Sequence, residues 1–169
     1  MNTFAIIDGN SLFYRAYYAY PQTLTTGDGT PINAVYGFMT MFFKTLTTYK
    51  PKYLAIPFDY DRTTFRKAKV ISYKANRKDT DQALLSQYKN LFEILEAFNI
   101  PMLRQKGYEA DDFIGTFAKR FGNNEFKGDK PQKMILITGD KDIKQALQKN
   151  IEMINLLSFS KQKIWISLV

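Results

Sequence analysis

Three short apolar runs that lead into aspartates constrain the fold of this chain more than any other feature of its 169 residues. The runs are "FAIID" (4–8), "YLAIPFD" (53–59) and "KMILIT" (133–138), the last followed by "GD". Segments whose apolar residues have helical spacing separate them, beginning with "SLFYRAYYAY" after the first run. Buried strands that alternate with helices predict an α/β fold with a mainly parallel central sheet flanked by helices.

The rest of the chain completes this pattern. "AVYGFMTMFFKTLTTY" and "ALLSQYKNLFEILEAF" predict helices, the second ending at Asn99 with Pro101 just beyond. "PMLRQ" predicts a short strand, "ADDFIGTFAKRF" a helix and "DIKQALQ" a short helix, while "IEMINLL" and "KIWISLV" predict closing strands. The two aromatic-rich helices, "SLFYRAYYAY" and "AVYGFMTMFF", are expected to supply the core.

The composition removes several kinds of active site. The chain contains neither cysteine nor histidine, which excludes disulfides, zinc–thiolate sites and nucleophiles that depend on a histidine base. Any catalysis must therefore use carboxylates, lysine, tyrosine or a hard metal ion. The sequence starts without a basic leader and has no apolar run of membrane-spanning length, so we expect a cytoplasmic protein with no membrane partner.

Seven of the 16 acidic residues are expected to gather at one edge of the sheet. Four of them follow the ends of predicted strands, and the carboxyl ends of parallel strands lie at a common edge. The other three, in "GYEADD" (107–112), fall at the start of a helix that begins after another predicted strand. The seven are Asp8, Asp59, Glu109, Asp111, Asp112, Asp140 and Asp142.

Each of these positions also has an ordinary structural explanation, because aspartate favours turns and carboxylates cap helix N-termini. The whole set is harder to explain in this way, since two carboxylates about 4 Å apart repel by about 4 kcal/mol at an effective dielectric constant near 20. A hard divalent cation would neutralise such crowding. Seven carboxylates exceed what one Mg²⁺ uses, so two Mg²⁺ or Mn²⁺ ions, or two shells of ligands around them, fit the set better. A two-metal carboxylate site suits an in-line displacement at phosphorus.

A strongly basic segment follows Asp59. Residues 62–78, "RTTFRKAKVISYKANRK", contain seven lysines and arginines and no acid, in a chain whose formal net charge is +8. Such a run is often only a solvated face. Here Phe65 and Tyr73 alternate with the cations, and charge combined with aromatic rings suits a single-stranded nucleic acid. Arg15, in the first predicted helix, is a candidate for a further phosphate contact.

These segments together resemble a known family. "IIDGNSLFYRAYYA", "AVYGFMTMFFK", "TFRKAKVISYKANR", "GYEADDFIGTFAK" and "ILITGDKD" occur in the order and approximate spacing of the 5′-nuclease domain of bacterial DNA polymerase I, a member of the flap endonuclease family. The resemblance covers roughly residues 4–157. It implies a PIN-like α/β core with a basic arch segment, with residues 1–169 as the N-terminal part of a 5′-3′ exonuclease domain.

The resemblance also implies an activity and a set of residues. The activity is divalent-metal-dependent 5′-3′ exonuclease and flap endonuclease cleavage of DNA with a 5′ end, a flap or an RNA primer, in primer removal and repair and in association with a DNA polymerase. The family's catalytic metal ligands would be the seven acids named above. Its arch and phosphate-contacting, DNA-binding residues would be Arg15, Arg66, Tyr73, Lys74 and Arg77.

The chain departs from the family pattern in three respects. Pro57 precedes Asp59 in a predicted strand and cannot donate to a sheet, which predicts local loss of pairing. Asn33 stands where the family usually has glycine. The family continues with further aspartates and a helix-three-turn-helix element that this sequence does not include, so we expect poor cleavage or none. Two alternatives stay open: a relative that binds nucleic acid without cutting it, and a PIN-like ribonuclease that completes its site by dimerising.

Overall fold

The computed structural model describes residues 2–60 and 81–156. The first range carries strand β1 (Thr3–Ile7), helices α1 (Gly9–Ala19) and α2 (Asn33–Tyr49) and strand β2 (Tyr53–Pro57). The second carries helices α3 (Gln82–Leu85) and α4 (Gln87–Ala97), strand β3 (Met102–Leu103), helix α5 (Ala110–Gly122), strand β4 (Lys133–Thr138), a 3-10 helix (Asp142–Ala146) and strand β5 (Ile151–Asn155). Strands and helices alternate, as the sequence predicts for an α/β fold.

The five strands form one parallel sheet in the order β3-β2-β1-β4-β5. β1 lies at the centre, where Ile6 pairs with Ala55 of β2 on one side and with Leu136 of β4 on the other. From β1 the sheet grows outward through β2 and β3, and the chain then returns to add β4 and β5 on the opposite side. Both faces of the sheet are covered, which explains why β1 and β4 are continuously apolar rather than alternating.

Two apolar clusters hold the helices on the two faces of the sheet. Ile7 and Ile137 belong to a cluster with α1, α2 and α4, in which Phe13 and Phe38 are fully buried. Alternate residues of the same strands pack against α5, as period-two side-chain alternation requires. This second cluster includes Phe4, Ile6, Met134, Leu136, Ile114 and Ala118.

The aromatic residues of α1 and α2 divide between the core and the surface. Both helices nevertheless supply rings to the core, as the sequence predicts. The buried rings are Phe13, Tyr17, Phe38 and Phe42, and the exposed ones are Tyr14, Tyr18, Tyr36 and Phe43.

Some element boundaries differ from the predicted ones. The helix predicted over "ALLSQYKNLFEILEAF" is divided at Ser86, although its φ of −60° and ψ of −27° keep the backbone in a helical conformation. The predicted helix "DIKQALQ" is a 3-10 helix, and the predicted strand "PMLRQ" is reduced to β3. Pro57 pairs with Leu103 of β3, but the register between β2 and β1 ends at Ala55, so pairing is lost on the β1 side alone. "KIWISLV" lies outside the described residues.

None of the described helices is long and apolar enough to cross a membrane.

Candidate active site

The reversal of strand order between β1 and β4 creates a crevice at the carboxyl edge of the sheet, the usual place for a ligand in an open parallel sheet. Asp8 directly follows β1, and Asp140 lies two residues beyond β4. Thr138, the last residue of β4, joins them. Its hydroxyl donates to Asp8 Oδ2 at 2.7 Å and accepts from the backbone N–H of Asp140 at 3.0 Å. The three residues therefore form one hydrogen-bonded unit at the crevice.

Asp8 is a buried carboxylate, only 4% exposed. It caps the N-terminus of α1, where its Oδ1 accepts from the Ser11 backbone N–H at 3.0 Å. The next residue must be small, because a Cβ on Gly9 would lie 2.4 Å from the ring of Phe58. No lysine or arginine of the described ranges forms an ion pair with Asp8. A buried carboxylate held by neutral donors is a hard oxygen ligand whose charge a cation would compensate.

Asp142 extends this first group of acids toward the surface. Its backbone N–H donates to Asp140 Oδ1 at 2.8 Å, and Asp142 itself is exposed at the start of the 3-10 helix. Hydrogen bonds thus link the three acids: Thr138 connects Asp8 to Asp140, and the backbone amide of Asp142 connects Asp142 to Asp140.

Asp59 and the acids of α5 form a second group. The Ala110 backbone N–H donates to Asp59 Oδ1 at 2.8 Å. Glu109, which is buried, caps α5, and its backbone N–H donates to Asp112 Oδ2 at 2.8 Å in a capping box. Asp111 lies beside Asp112 in the first turn. The helix-capping explanation of "EADD" is therefore confirmed, and the same capping fixes where these carboxylates lie.

Tyr88 on α4 lies near both groups of acids. Its hydroxyl donates to Asn10 Oδ1 at 3.2 Å, at the start of α1. Burial, reinforced by the electrostatic influence of Tyr14, Asp59 and Asp8, raises the pKa of Tyr88, so the hydroxyl keeps its proton. Gly9, which follows Asp8, packs against the ring of Phe58, which precedes Asp59, so the two groups lie at the same part of the carboxyl edge.

The hydrogen bonds arrange the carboxylates as two groups rather than as one cage. Within residues 2–60 and 81–156, no three acidic side chains are close enough to hold a single metal ion. The donor chemistry nevertheless fits a hard divalent cation, because every candidate ligand is a carboxylate and Asp8 and Glu109 are buried. The binding of two ions by all seven acids stays a prediction.

A cleft of about 370 Å³ opens beside Asp140. It brings a predicted phosphate-contacting residue, the half-buried Arg15, to the same place as a predicted metal ligand. The cleft is lined by Ser11, Tyr14, Arg15, Gly139, Asp140 and Leu156. The other predicted DNA-binding residues lie outside the described residues: Arg66, Tyr73, Lys74 and Arg77.

Three residues of the site are not singled out by sequence patterns. Thr138 resembles any β-branched residue at a strand end, and its position two residues before Asp140 is the signal that could have identified it. Tyr14 belongs to a helix rich in rings, yet it is 37% exposed and lines the cleft. Tyr88 falls on the apolar face of an amphipathic pattern, so nothing in the sequence separates it from core residues.

Comparison with known proteins identifies similar sequences. Residues 3–167 match the family model described as the 5′-3′ exonuclease, N-terminal resolvase-like domain. A DNA polymerase I from Caldicellulosiruptor bescii is 44% identical over 146 residues, which cover 86% of this chain and 16% of that protein. A 5′-3′ exonuclease from Aquifex aeolicus is 35% identical over 167 residues, which cover 97% of this chain and 55% of that protein. The chain thus spans about half the length of the second relative and a much smaller part of the first.

A solved structure shares the fold. The flap endonuclease of bacteriophage T5, in a pseudo-enzyme–product complex with DNA and metal ions, matches with a TM-score of 0.67 at 18% identity. The match covers 97% of this chain and 57% of the phage chain. At this level of identity the likeness concerns the fold alone, and it agrees with an α/β core built on a parallel sheet.

Proposed function

The chain belongs to the family of the 5′-3′ exonuclease N-terminal, resolvase-like domain, and on that premise we propose that it is a divalent-metal-dependent nuclease that hydrolyses phosphodiester bonds in DNA with a 5′ end or a flap. The observation that carries the proposal is the unit formed by Asp8, Thr138 and Asp140 at the strand-order reversal. It combines a buried hard ligand with an open cleft that Arg15 lines.

Under this proposal the seven acids hold the metal ions. Asp8 and Asp140 would be the inner ligands at the crevice, because one is buried and the other lines the cleft. Asp59 and Glu109 would act from the neighbouring group, which the α5 cap fixes in place. The complete set of ligands would be Asp8, Asp59, Glu109, Asp111, Asp112, Asp140 and Asp142.

The metal would be Mg²⁺ or Mn²⁺, and two ions would be present. Bound divalent cations can activate water and compensate the charge that develops on a phosphate during displacement. The rest of the proposed chemistry belongs to the residues of this chain. Arg15 would bind a phosphate oxygen in the cleft, since a guanidinium suits phosphate geometry. Arg66, Tyr73, Lys74 and Arg77 would contact the strand that carries the 5′ end.

The proposed partners follow from the relatives. The Caldicellulosiruptor relative is a DNA polymerase I, and the phage flap endonuclease was solved with DNA. We therefore propose that the natural substrate includes a flap or an RNA primer, that the chain works beside a DNA polymerase, and that it does so in the cytoplasm.

The experiment is a cleavage assay with a 5′-labelled flap DNA and the full 169-residue chain. We expect short labelled products to form slowly and only with Mg²⁺ or Mn²⁺, and to be absent after chelation by EDTA. Asp140→Asn keeps the side-chain shape and removes the charge, and it should lower the rate about 100-fold, the loss that follows when a reacting phosphate is displaced by about 1 Å. The matched control is Asp129→Asn, a surface carboxylate that forms an ion pair with Lys52, and it should cleave as the wild type does.

Three results would separate the proposal from its alternatives. Salt-sensitive DNA binding without cleavage under any metal condition would favour a nucleic-acid-binding protein. Preferential cleavage of single-stranded RNA, with activity that rises with protein concentration, would favour a ribonuclease that dimerises. Cleavage that persists equally in Asp140→Asn would contradict the assignment of the site.

A further inference from the structure

Arg104 lies at the carboxyl edge of the sheet, directly after β3. We propose that Arg104 is a substrate-binding residue whose guanidinium holds one backbone phosphate of the DNA on the β3 side of the acidic groups. The inference deepens the proposed function and rests on it, because a phosphate contact at this edge matters only to a protein that acts on a nucleic acid there.

The strand order places Arg104 in line with the candidate metal ligands. Four neighbouring strands of the sheet each lead into one charged residue at the carboxyl edge. In the order β3, β2, β1 and β4, these residues are Arg104, Asp59, Asp8 and Asp140. Arg15 lines the cleft at the far end of this row, beside Asp140. The row of carboxylates is therefore flanked by one arginine at each end.

Aromatic rings hold the guanidinium of Arg104 in place. It lies 4.3 Å from the ring centroid of Phe92 on α4 and 5.5 Å from that of Tyr60. Phe92 is itself fixed, because it packs edge-on against the fully buried Phe58, with 5.0 Å between the ring centroids. The Phe58 backbone N–H donates to the carbonyl of Leu103, the residue before Arg104, at 3.0 Å. Both the backbone and the side chain of Arg104 are therefore attached to the end of β2.

Within residues 2–60 and 81–156, the guanidinium makes a single hydrogen bond, from Nη2 to the Tyr60 carbonyl oxygen at 3.5 Å. Arg104 forms no ion pair with an acid of the same ranges, and its side chain is exposed. A guanidinium has more N–H donors than this contact uses, and stacking on a ring leaves the donors at its rim open. A guanidinium held in this way is suited to bind two oxygens of a phosphate.

The acids near Arg104 in the fold are engaged with α5 instead. Asp59 accepts from the Ala110 backbone N–H, and Glu109 and Asp112 form the capping box. The described acids therefore leave the positive charge of Arg104 uncompensated. Cation-binding carboxylates beside an uncompensated cation are the arrangement expected where a polyanion meets bound metal ions.

The spacing of the strands determines which phosphate Arg104 can reach. Neighbouring strands are about 4.8 Å apart, so the backbone of Arg104, two strands from β1, lies about 10 Å from that of Asp8. Each strand of duplex DNA carries one phosphate per about 3.4 Å of helix axis. Arg104 would therefore hold a phosphate within about three nucleotides of the one bound at Asp8. Such a contact positions the DNA without touching the reacting atoms.

The experiment measures how tightly the full 169-residue chain binds a fluorescent 5′-flap DNA in the presence of Mg²⁺, over a range of salt concentrations. Arg104→Gln removes the charge and keeps a polar side chain, whereas Arg104→Lys keeps the charge. The matched control is Arg120→Gln, because Arg120 is also exposed but lies in the last turn of α5, toward the amino edge. A second set of probes replaces one phosphate at a time near the flap junction by an uncharged methylphosphonate.

We expect Arg104→Gln to weaken binding about tenfold, the effect of losing a hydrogen bond to a charged group. Its plot of log affinity against log salt should be shallower by about 0.9, so its difference from the wild type should shrink about 3.5-fold between about 50 and 200 mM salt. Arg104→Lys should restore the slope. Arg120→Gln should keep the wild-type affinity within about twofold.

Cleavage by Arg104→Gln should show a higher KM with kcat unchanged within about twofold, because a contact away from the reacting atoms is equally strong in the ground state and the transition state.

The methylphosphonate probes identify the phosphate that Arg104 binds. One probe should weaken binding by the wild type but not by Arg104→Gln, in which that contact is already absent. The position should lie within about three nucleotides of the phosphate that the wild type cleaves. Arg120→Gln should lose as much affinity for this probe as the wild type does.

The outcomes separate the inference from the proposed function. An unchanged salt slope in Arg104→Gln, or equal losses in this variant and the wild type with every probe, would overturn the phosphate contact. Equal slopes in Arg104→Gln and Arg120→Gln would reduce the effect to overall charge and overturn it too. A slope in Arg104→Lys as shallow as in Arg104→Gln would assign the effect to packing on Phe92, with the same consequence.

The wild type provides the remaining test. If it binds DNA but cleaves none, the nuclease activity is overturned, and the probes still decide whether Arg104 binds a phosphate. If the wild type does not bind DNA, the proposed function fails and this inference fails with it.

Discussion

Aspartates at the two edges of the sheet differ in their burial and in their ion pairing. At the amino edge, Asp129 is exposed, forms an ion pair with Lys52 and accepts from Asn2 Nδ2 at 2.6 Å. At the carboxyl edge, Asp8 is buried and is held by the Ser11 amide and the Thr138 hydroxyl, with no ion pair to a lysine or arginine of the described ranges. Only the first arrangement neutralises the charge of the acid.

This difference indicates that the amino edge stabilises the fold and that the carboxyl edge binds a ligand. A surface ion pair adds little to stability, and its charges need no further cation for compensation. A buried carboxylate without a compensating charge costs free energy that hydrogen bonds offset only in part. Such an arrangement is expected where a cation binds in the working protein. The comparison can be tested by changing one edge at a time.

The largest difference is expected in DNA cleavage. Asp8→Asn keeps an oxygen that accepts from Ser11 but removes the charge, and it should lower the cleavage rate about 100-fold or more because the reacting phosphate is no longer held in place. Asp129→Asn should change the rate less than about twofold, the range expected of a surface substitution. Rates are measured on 5′-flap DNA at saturating Mn²⁺. Equal effects of the two variants would remove the distinction between the edges.

A smaller effect is expected from the residue that joins Asp8 to Asp140. Thr138→Val keeps the shape of the side chain but leaves an oxygen of buried Asp8 without its donor, which should lower the free energy of unfolding by about 1–3 kcal/mol. Thr138→Ser keeps the hydroxyl and should lose less than half as much. Urea unfolding without metal measures both variants. A neutral Thr138→Val would mean that the hydroxyl does not hold Asp8.

Asp81 differs from both Asp8 and Asp129, because its carboxylate accepts a hydrogen bond from a neutral hydroxyl, that of the buried Tyr17. The hydrogen bond to Asp81 is the main cause and burial the second cause that raise the pKa of Tyr17 to about 12. A raised pKa means that this contribution to stability is complete below the unfolded pKa of about 10 and is lost as the pH rises through 12. The difference in ultraviolet absorbance between the wild type and Tyr17→Phe should therefore show one tyrosine ionising near pH 12. A difference curve centred near pH 10 would show that the hydrogen bond is absent in solution.

The smallest effect is expected at the amino edge. The hydrogen bond from Lys52 lowers the pKa of Asp129, so its contribution to stability is present above the unfolded pKa of about 3.9 and is lost as the pH falls through the lower folded pKa. Because both side chains are about half exposed, Asp129→Asn should change the melting temperature slightly, and less still in about 1 M NaCl. A large effect that persists in high salt would show that this pair is more than a surface contact.

Sequence patterns predict the sheet and its aspartates well because these features are local. The apolar runs of β1 and β4 need no partner to be recognised, and Asp8 and Asp140 follow from the direction of parallel strands. The break at Ser86 could not be predicted from such local patterns. The backbone of Ser86 stays helical, and the apolar spacing continues across it.

The contacts that connect the site are less predictable because they join distant positions. Tyr17 and Asp81 are 64 residues apart, and the hydroxyl of Thr138 reaches Asp8 across 130 residues. In the sequence Tyr17 is one ring among several, and Thr138 is an ordinary β-branched residue. Only the folded chain shows that each hydroxyl has a carboxylate as its partner.

We propose that the carboxyl edge binds a divalent cation through Asp8 and Asp140, and thermal unfolding at increasing concentrations of Mg²⁺ or Mn²⁺ measures this binding. At a metal concentration about 100 times the dissociation constant, the wild type should gain about 2.7 kcal/mol of stability. Asp8→Asn and Asp140→Asn should each lose most of that gain, and Asp129→Asn should keep all of it. A wild-type melting temperature that does not respond to millimolar metal, or an equal response in all four proteins, would show that Asp8 and Asp140 do not bind the cation.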